Sequence, residues 1–160
     1  ARFSASPLMS NPESVMPPLH TAPSAARPAA AGDARLRPAA RKAAGLHLLG
    51  DLHGCRGEGR LMHDATHLQA FCQRAVADAG LTAVGALFHS FGEGAGVTGV
   101  VVLAESHLSI HTWPEDGYVT LDVYVCSYST DNRQRAQALF DAVARAFSPA
   151  QPHLQRVERG

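Results

Sequence analysis

The sequence predicts an α+β fold: a two-layer sandwich in which two helices cover one face of an antiparallel sheet. Two segments, Leu61 to Ala79 and Ala136 to Phe147, repeat apolar residues at intervals of three and four, which gives each helix one apolar face. Two others, His107 to Trp113 and Tyr118 to Cys126, alternate apolar and polar residues and are separated by the turn residues Pro114 to Gly117. The resulting order, β-α-β-β-β-β-α-β, places both helices on one side of the sheet and leaves the other face free for a partner or ligand.

The elements follow in chain order. Leu46, Leu48 and Leu49 before Asp51 predict a first strand that exits at His53-Gly54-Cys55. The first helix carries Leu61, Ala65, Leu68, Phe71, Cys72, Ala75, Val76 and Ala79 on one face, and Gly80 closes it. Thr82 to Phe91 predicts a strand, and the loop Gly92 to Gly96 follows it. That loop lacks the Lys-Ser/Thr of a phosphate-binding loop and is expected to be a turn. Val97 to Ala104 is nearly all apolar, which predicts a strand buried on both faces. In the strand from Tyr118, the residues Tyr118, Thr120, Asp122, Tyr124 and Cys126 share one face. A short strand around His153 to Val157 is expected at the end.

The first 44 residues differ in kind. They hold seven of the ten prolines and six basic residues against two acidic ones, with no apolar periodicity. Such a stretch cannot bury enough surface to offset its ordering entropy, so residues 1–44 are expected to be a disordered Pro/Ala-rich extension. An arginine-bearing, acid-poor leader is also compatible with an organelle transit peptide. Residues 45–160 form the single expected domain.

Composition narrows the function. A formal net charge of zero gives no electrostatic reason to expect nucleic acid. No run of 18 or more apolar residues exists to cross a membrane. Three cysteines without paired spacing predict a reducing cytoplasm and not a disulfide scaffold. His63 and His67 have a zinc-compatible spacing, but no third ligand suggests itself, and a solvated helix face accounts for them.

The chemistry concentrates where an apolar strand runs into Glu105-Ser106-His107, followed by His111, Trp113, Glu115 and Cys126. A β-hairpin with polar residues on its open face accounts for these residues. A sharper account comes from similarity. The segment GVTGVVVLAESHLSIHTWPEDGY resembles the self-processing segment of the prokaryotic S-adenosylmethionine decarboxylases, with its long ESHxxIHTWPE core. GLHLLGDLHGC at 45–55, FHSF at 88–91 and Cys126 extend the resemblance over residues 45–160.

The resemblance implies a self-cleaving chain. Ser106 Oγ attacks the Glu105 carbonyl to give an ester, and a base removes the Ser106 α-proton so that the ester eliminates. The residue left behind becomes a pyruvoyl group. The β-chain then ends at Glu105 and the α-chain begins at residue 106. In the family His111 matches the processing base, a role that suits an imidazole near neutral pH. Simple alternation puts Ser106 and His111 on opposite sheet faces, so the chain must break regularity near Ser106 for them to meet. Thr98 stands where the family commonly has a serine that assists processing.

The pyruvoyl cofactor would form a Schiff base with the substrate amine and accept the electrons released as CO2 leaves. Cys126 matches the proton donor, and an ordinary thiol suits that role. Cys72 is expected in the core, and Cys55 is assigned only packing. Phe91 and Trp113 are candidates to stack on adenine or face the sulfonium, with core packing the alternative. Glu115 is the candidate ribose acceptor, or else a solvated turn acid. His53 replaces the aromatic residue the family usually has beside the pocket. The family's small form pairs two units through their sheets, which implies a homodimer, with S-adenosylmethionine as substrate and spermidine biosynthesis as the pathway. The same machinery acting on ornithine or arginine, or a non-enzymatic binding protein that keeps the fold, are the alternatives.

Overall fold

The computed structural model describes residues 45–128 and 130–160, so the expectation for 1–44 lies outside the described residues. The elements are β1 (Gly45–His53), α1 (Arg60–His63), α2 (Ala65–Asp78), β2 (Ala83–Ser90), β3 (Val97–Leu103), β4 (Ser106–Trp113), β5 (Tyr118–Cys126), α3 (Arg133–Phe147) and β6 (Gln151–Arg159). They form one six-stranded sheet in the order β2-β3-β4-β5-β1-β6, with every neighbouring pair antiparallel.

One sheet face is the core. Alternation sends Leu48 and Leu52 of β1, Leu108 and Ile110 of β4, and Leu121 and Val123 of β5 into it, each 4% exposed or less. The helices cover this face, α2 over β2 and β3 and α3 over β5 and β1. Phe140 and Phe147 of α3 are almost fully buried; side chains of that size contribute about 1.5–3 kcal/mol each.

The long first helix is broken where the spacing predicts continuity. Asp64 is extended (φ −102°, ψ 100°), and its side chain accepts a hydrogen bond from the His67 N–H, which starts α2 afresh. The closure at Gly80 is as expected. Gly80 has φ +72°, and the Gly80 and Leu81 N–H groups donate to the carbonyls of Ala77 and Val76.

Two expectations are corrected. β3 is not buried on both faces. Val97, Val101 and Leu103 are buried, but Thr98 and Val100 are only partly covered and Val102 is 44% exposed. The described helices lie on one side only, and nothing among the described residues covers the other. β6 is also longer than the His153–Val157 segment, because backbone pairing with β1 extends from Gln151 to Arg159. No described helix packs over it and every residue is exposed, so its sequence carries no burial pattern.

Candidate active site

At one end of the sheet, β3 turns into β4. Leu103 pairs with Ser106, so Ala104 and Glu105 form a two-residue turn. Tight hairpins of this length normally place positive φ on the turn residues, usually glycine or asparagine. Neither Ala104 nor Glu105 has positive φ; the following residue, Ser106, does, at +140°. An L-residue there is strained by about 1–3 kcal/mol, and the strain falls on the Glu105–Ser106 link.

The Glu105 carbonyl is held between two donors from one residue. The Cys126 N–H donates to it at 3.0 Å, and Cys126 Sγ lies 3.2 Å away. The register that pairs Ser106 with Val125 brings the end of β5 alongside the turn and makes this possible. The Glu105 carboxylate is fixed as well. Its Oε2 accepts from the Tyr128 N–H and from Asn132 Nδ2, each at 3.0 Å.

A second group sits at the opposite end of the sheet. Thr98 pairs with His111, and Thr98 Oγ1 is 2.8 Å from His111 Nδ1. The His111 ring lies 6.1 Å from Trp113. Trp113 stacks on Tyr118 at 5.1 Å, and Tyr118 stacks on His53 at 4.6 Å with 17° between the planes. The Tyr118 hydroxyl donates to Asp51, which pushes its pKa up to about 12. Phe91 and Glu115 are exposed at this same end.

The nine expected site residues therefore fall into two groups: Glu105, Ser106 and Cys126 in one, and Thr98, His111, Trp113, Glu115, Phe91 and His53 in the other. Ser106 does break regularity, as expected, yet within one chain it does not meet His111. Five residues of strand at about 3.4 Å each separate their Cα atoms by about 17 Å, too far for two short side chains to bridge.

The sequence did not single out several residues of these clusters. Asn132 precedes α3, an ordinary helix-capping position, yet its side chain makes no cap and reaches Glu105. Between the two groups, His47 Nε2 is buried without a hydrogen-bond partner among the described residues, 4.0 Å from Asp122. Desolvation lowers the His47 pKa against the opposing pull of Asp122, and Arg159 and His107 lower it further. Of the other expectations, Cys72 is fully buried in α2, which pushes its thiol up to about 12. His67 is engaged with Glu58 at 2.8 Å.

Comparison with known proteins gives this arrangement its context. Residues 46–160 match the family model described as S-adenosylmethionine decarboxylase. The chain belongs to the S-adenosylmethionine decarboxylase family. It is 35% identical over 118 residues to the S-adenosylmethionine decarboxylase proenzyme of Picrophilus torridus, covering 74% of this chain and 85% of that one. With the proenzyme of Pyrobaculum aerophilum it shares 40% identity over 111 residues, 68% of this chain and 82% of the other. The crystal structure of the adenosylmethionine decarboxylase from Aquifex aeolicus superposes with a TM-score of 0.65 at 36% identity, covering 74% of this chain and 92% of that one. The decarboxylase fold is thus the α+β sandwich expected from the sequence, and the motif from residue 96 to residue 118 is its β3–β4 hairpin and the turn beyond.

Proposed function

We propose that this chain is a decarboxylase proenzyme that cleaves itself between Glu105 and Ser106, converts Ser106 to a pyruvoyl group and decarboxylates S-adenosylmethionine. The observation that carries the reading is the treatment of one peptide bond, with its carbonyl between two Cys126 donors and its serine at φ +140°.

As Ser106 Oγ adds to the Glu105 carbonyl carbon, charge develops on the carbonyl oxygen. Donors already aimed at that oxygen stabilise the charge; removing one such donor elsewhere costs about 10²–10³ in rate. Collapse of the adduct breaks the bond between the Glu105 carbonyl carbon and the Ser106 nitrogen, the departing amine takes up the hydroxyl's proton, and an ester is left. Elimination then expels the Glu105 carboxylate from Ser106 Cβ once the α-proton is removed. The resulting enamine tautomerises and is hydrolysed with loss of ammonia, leaving the pyruvoyl group. The pyruvoyl group supplies an electrophilic carbonyl that takes the substrate amine and accepts the electrons left as CO2 departs. Cys126 Sγ, beside residue 106, is placed to return a proton to the product carbon.

His111 is the base, and it acts across a dimer. A two-fold axis through the open face near the middle of β4 sets Ser106 of one protomer against His111 of the other, and the reverse. The open face is what such pairing would bury, because Val100, Val102, Trp113 and Tyr124 lie there without a covering layer among the described residues. Thr98, Phe91, Glu115 and the Trp113–Tyr118–His53 stack then travel with His111 to the partner's residue 106. The stack offers flat aromatic surface to the adenine, and Glu115 is the ribose acceptor. His53, though not the family's usual aromatic, already lies flat on Tyr118.

All three cysteines are free thiols, in keeping with a cytoplasmic enzyme, and no helix among the described residues is long and apolar enough to cross a membrane. The product would be the aminopropyl donor for spermidine synthesis. Carboxyl-labelled substrates test the reading: the purified protein is expected to release labelled CO2 from S-adenosylmethionine at least about a hundredfold faster than from ornithine or arginine. Release from either amino acid alone would replace the substrate and keep the machinery.

Thr98 fixes the ring of His111 through its 2.8 Å contact with Nδ1. Thr98→Val removes the hydroxyl at constant shape and is expected to slow cleavage about tenfold, while Thr98→Ser restores it. The ratio of whole to cleaved chain over time on a denaturing gel measures both.

A further inference from the structure

The described donors to Glu105 lie downstream of the bond that breaks. Cys126, Tyr128 and Asn132 belong to the future α-chain, whereas Glu105 becomes the last residue of the β-chain. Asn132 is buried, 3% exposed, and its Nδ2 also lies 3.5 Å from the Cys126 carbonyl. Its Oδ1 accepts from Arg135 Nη1 at 3.0 Å, so a guanidinium stands one amide away from the Glu105 carboxylate. Glu105, Asn132 and Arg135 line a single cavity of about 120 Å³ with Thr82, Ala104 and Thr130. Among the described residues Arg135 is its sole cation and makes no ion pair.

We propose that this cavity is a retention site for the β-chain's new C terminus. The inference rests on the cleavage reading above and goes beyond it. Cleavage turns the Glu105 carbonyl into a second carboxylate on a residue that already carries one. The Asn132 amide and Tyr128 N–H keep the side chain in place, the Cys126 N–H keeps one oxygen of the new carboxylate, and Arg135 balances the added charge. Held this way, the terminus remains one wall of the space around residue 106. Released, it would open that space to water and leave two negative charges free beside a site that must admit a substrate carboxylate. Asn132 and Arg135 are positioning residues in this scheme and touch no reacting atom.

Asn132→Asp separates retention from folding. An aspartate is isosteric and keeps the oxygen that accepts from Arg135 Nη1, so the fold should persist, which an unchanged circular dichroism spectrum and a melting temperature well above the assay temperature check. It also sets a like charge 3.0 Å from Glu105 Oε2. The cleaved protein is treated at pH 8 with a broad-specificity carboxypeptidase and the β-chain mass is followed. The wild-type β-chain should keep Glu105 under conditions that trim the denatured chain. Asn132→Asp should lose Glu105 about tenfold faster or more, as expected when a hydrogen bond to a charged group is lost. Arg135→Gln should move the same way to a smaller extent, and Arg135→Lys should restore protection. Equal trimming of all these forms would overturn the retention site alone. A wild-type chain that never cleaves would overturn this inference together with the reading beneath it.

Discussion

Replacing Ser106 with alanine will leave the purified protein as one uncleaved 16.9 kDa chain with no decarboxylase activity. Alanine removes the Oγ that attacks the Glu105 carbonyl, and no other side chain in the turn carries a nucleophile. The fold should tolerate the change, since alanine and serine share the same aversion to φ +140° and the Cys126 contacts to Glu105 do not involve the hydroxyl. Without the pyruvoyl carbonyl there is no electron sink, so turnover should fall to background, a loss of about a millionfold or more. Intact mass decides the first point and CO2 release the second. Borohydride or a hydrazine should trap a ketone in the wild-type protein and none in Ser106→Ala. A variant that still splits at residue 105 would end the serine mechanism.

The sheet was legible because the strands alternate against a single helical layer. β1, β4 and β5 each show a period of two, with the buried set facing α2 and α3. Where one physical cause was missing, the pattern failed. β3 reads as buried on both faces because Val100 and Val102 are apolar, yet in the single chain they face outward. An apolar face left open in one chain gives the same sequence signal as a core. β6 has no covering helix among the described residues and hence no periodicity to detect. The break at Asp64 was hidden because a single extended residue barely disturbs the three-and-four spacing, even though an aspartate three residues before His67 is an ordinary cap.

The candidate site was legible by residue and not by geometry. Ser106, His111, Thr98 and Cys126 stand out as types in a motif, and register alone could place them: Thr98 opposite His111, Val125 opposite Ser106. The break at Ser106 was foreseeable, because alternation sets it against His111. Its consequence was not, because the strained turn serves the Glu105 carbonyl and does nothing to shorten the strand between Ser106 and His111. Asn132 escaped notice for a different reason. A capping residue diverted to a distant carboxylate leaves the same sequence signal as one that caps.

That separation along β4 makes a second large effect measurable. Ser106→Ala and His111→Ala should each be unable to cleave normally when expressed alone, the first absolutely and the second slowed about a hundredfold or more for want of its base. Co-expressed in equal amounts, they should recover. Random pairing makes about half the dimers mixed, and each mixed dimer joins the intact Ser106 of one protomer to the intact His111 of the other at one of its two sites. About a quarter of all sites should therefore mature, and only the His111→Ala polypeptide should appear as fragments, since it alone carries the serine. If the base acted within its own chain, no site in the mixture would be complete and the co-expressed sample would remain as whole as the two parents. Tagging the variants differently identifies which polypeptide is cut. The outcome turns on a length: a β-strand cannot fold five residues into hydrogen-bond range, so a base at His111 that serves Ser106 must come from another copy.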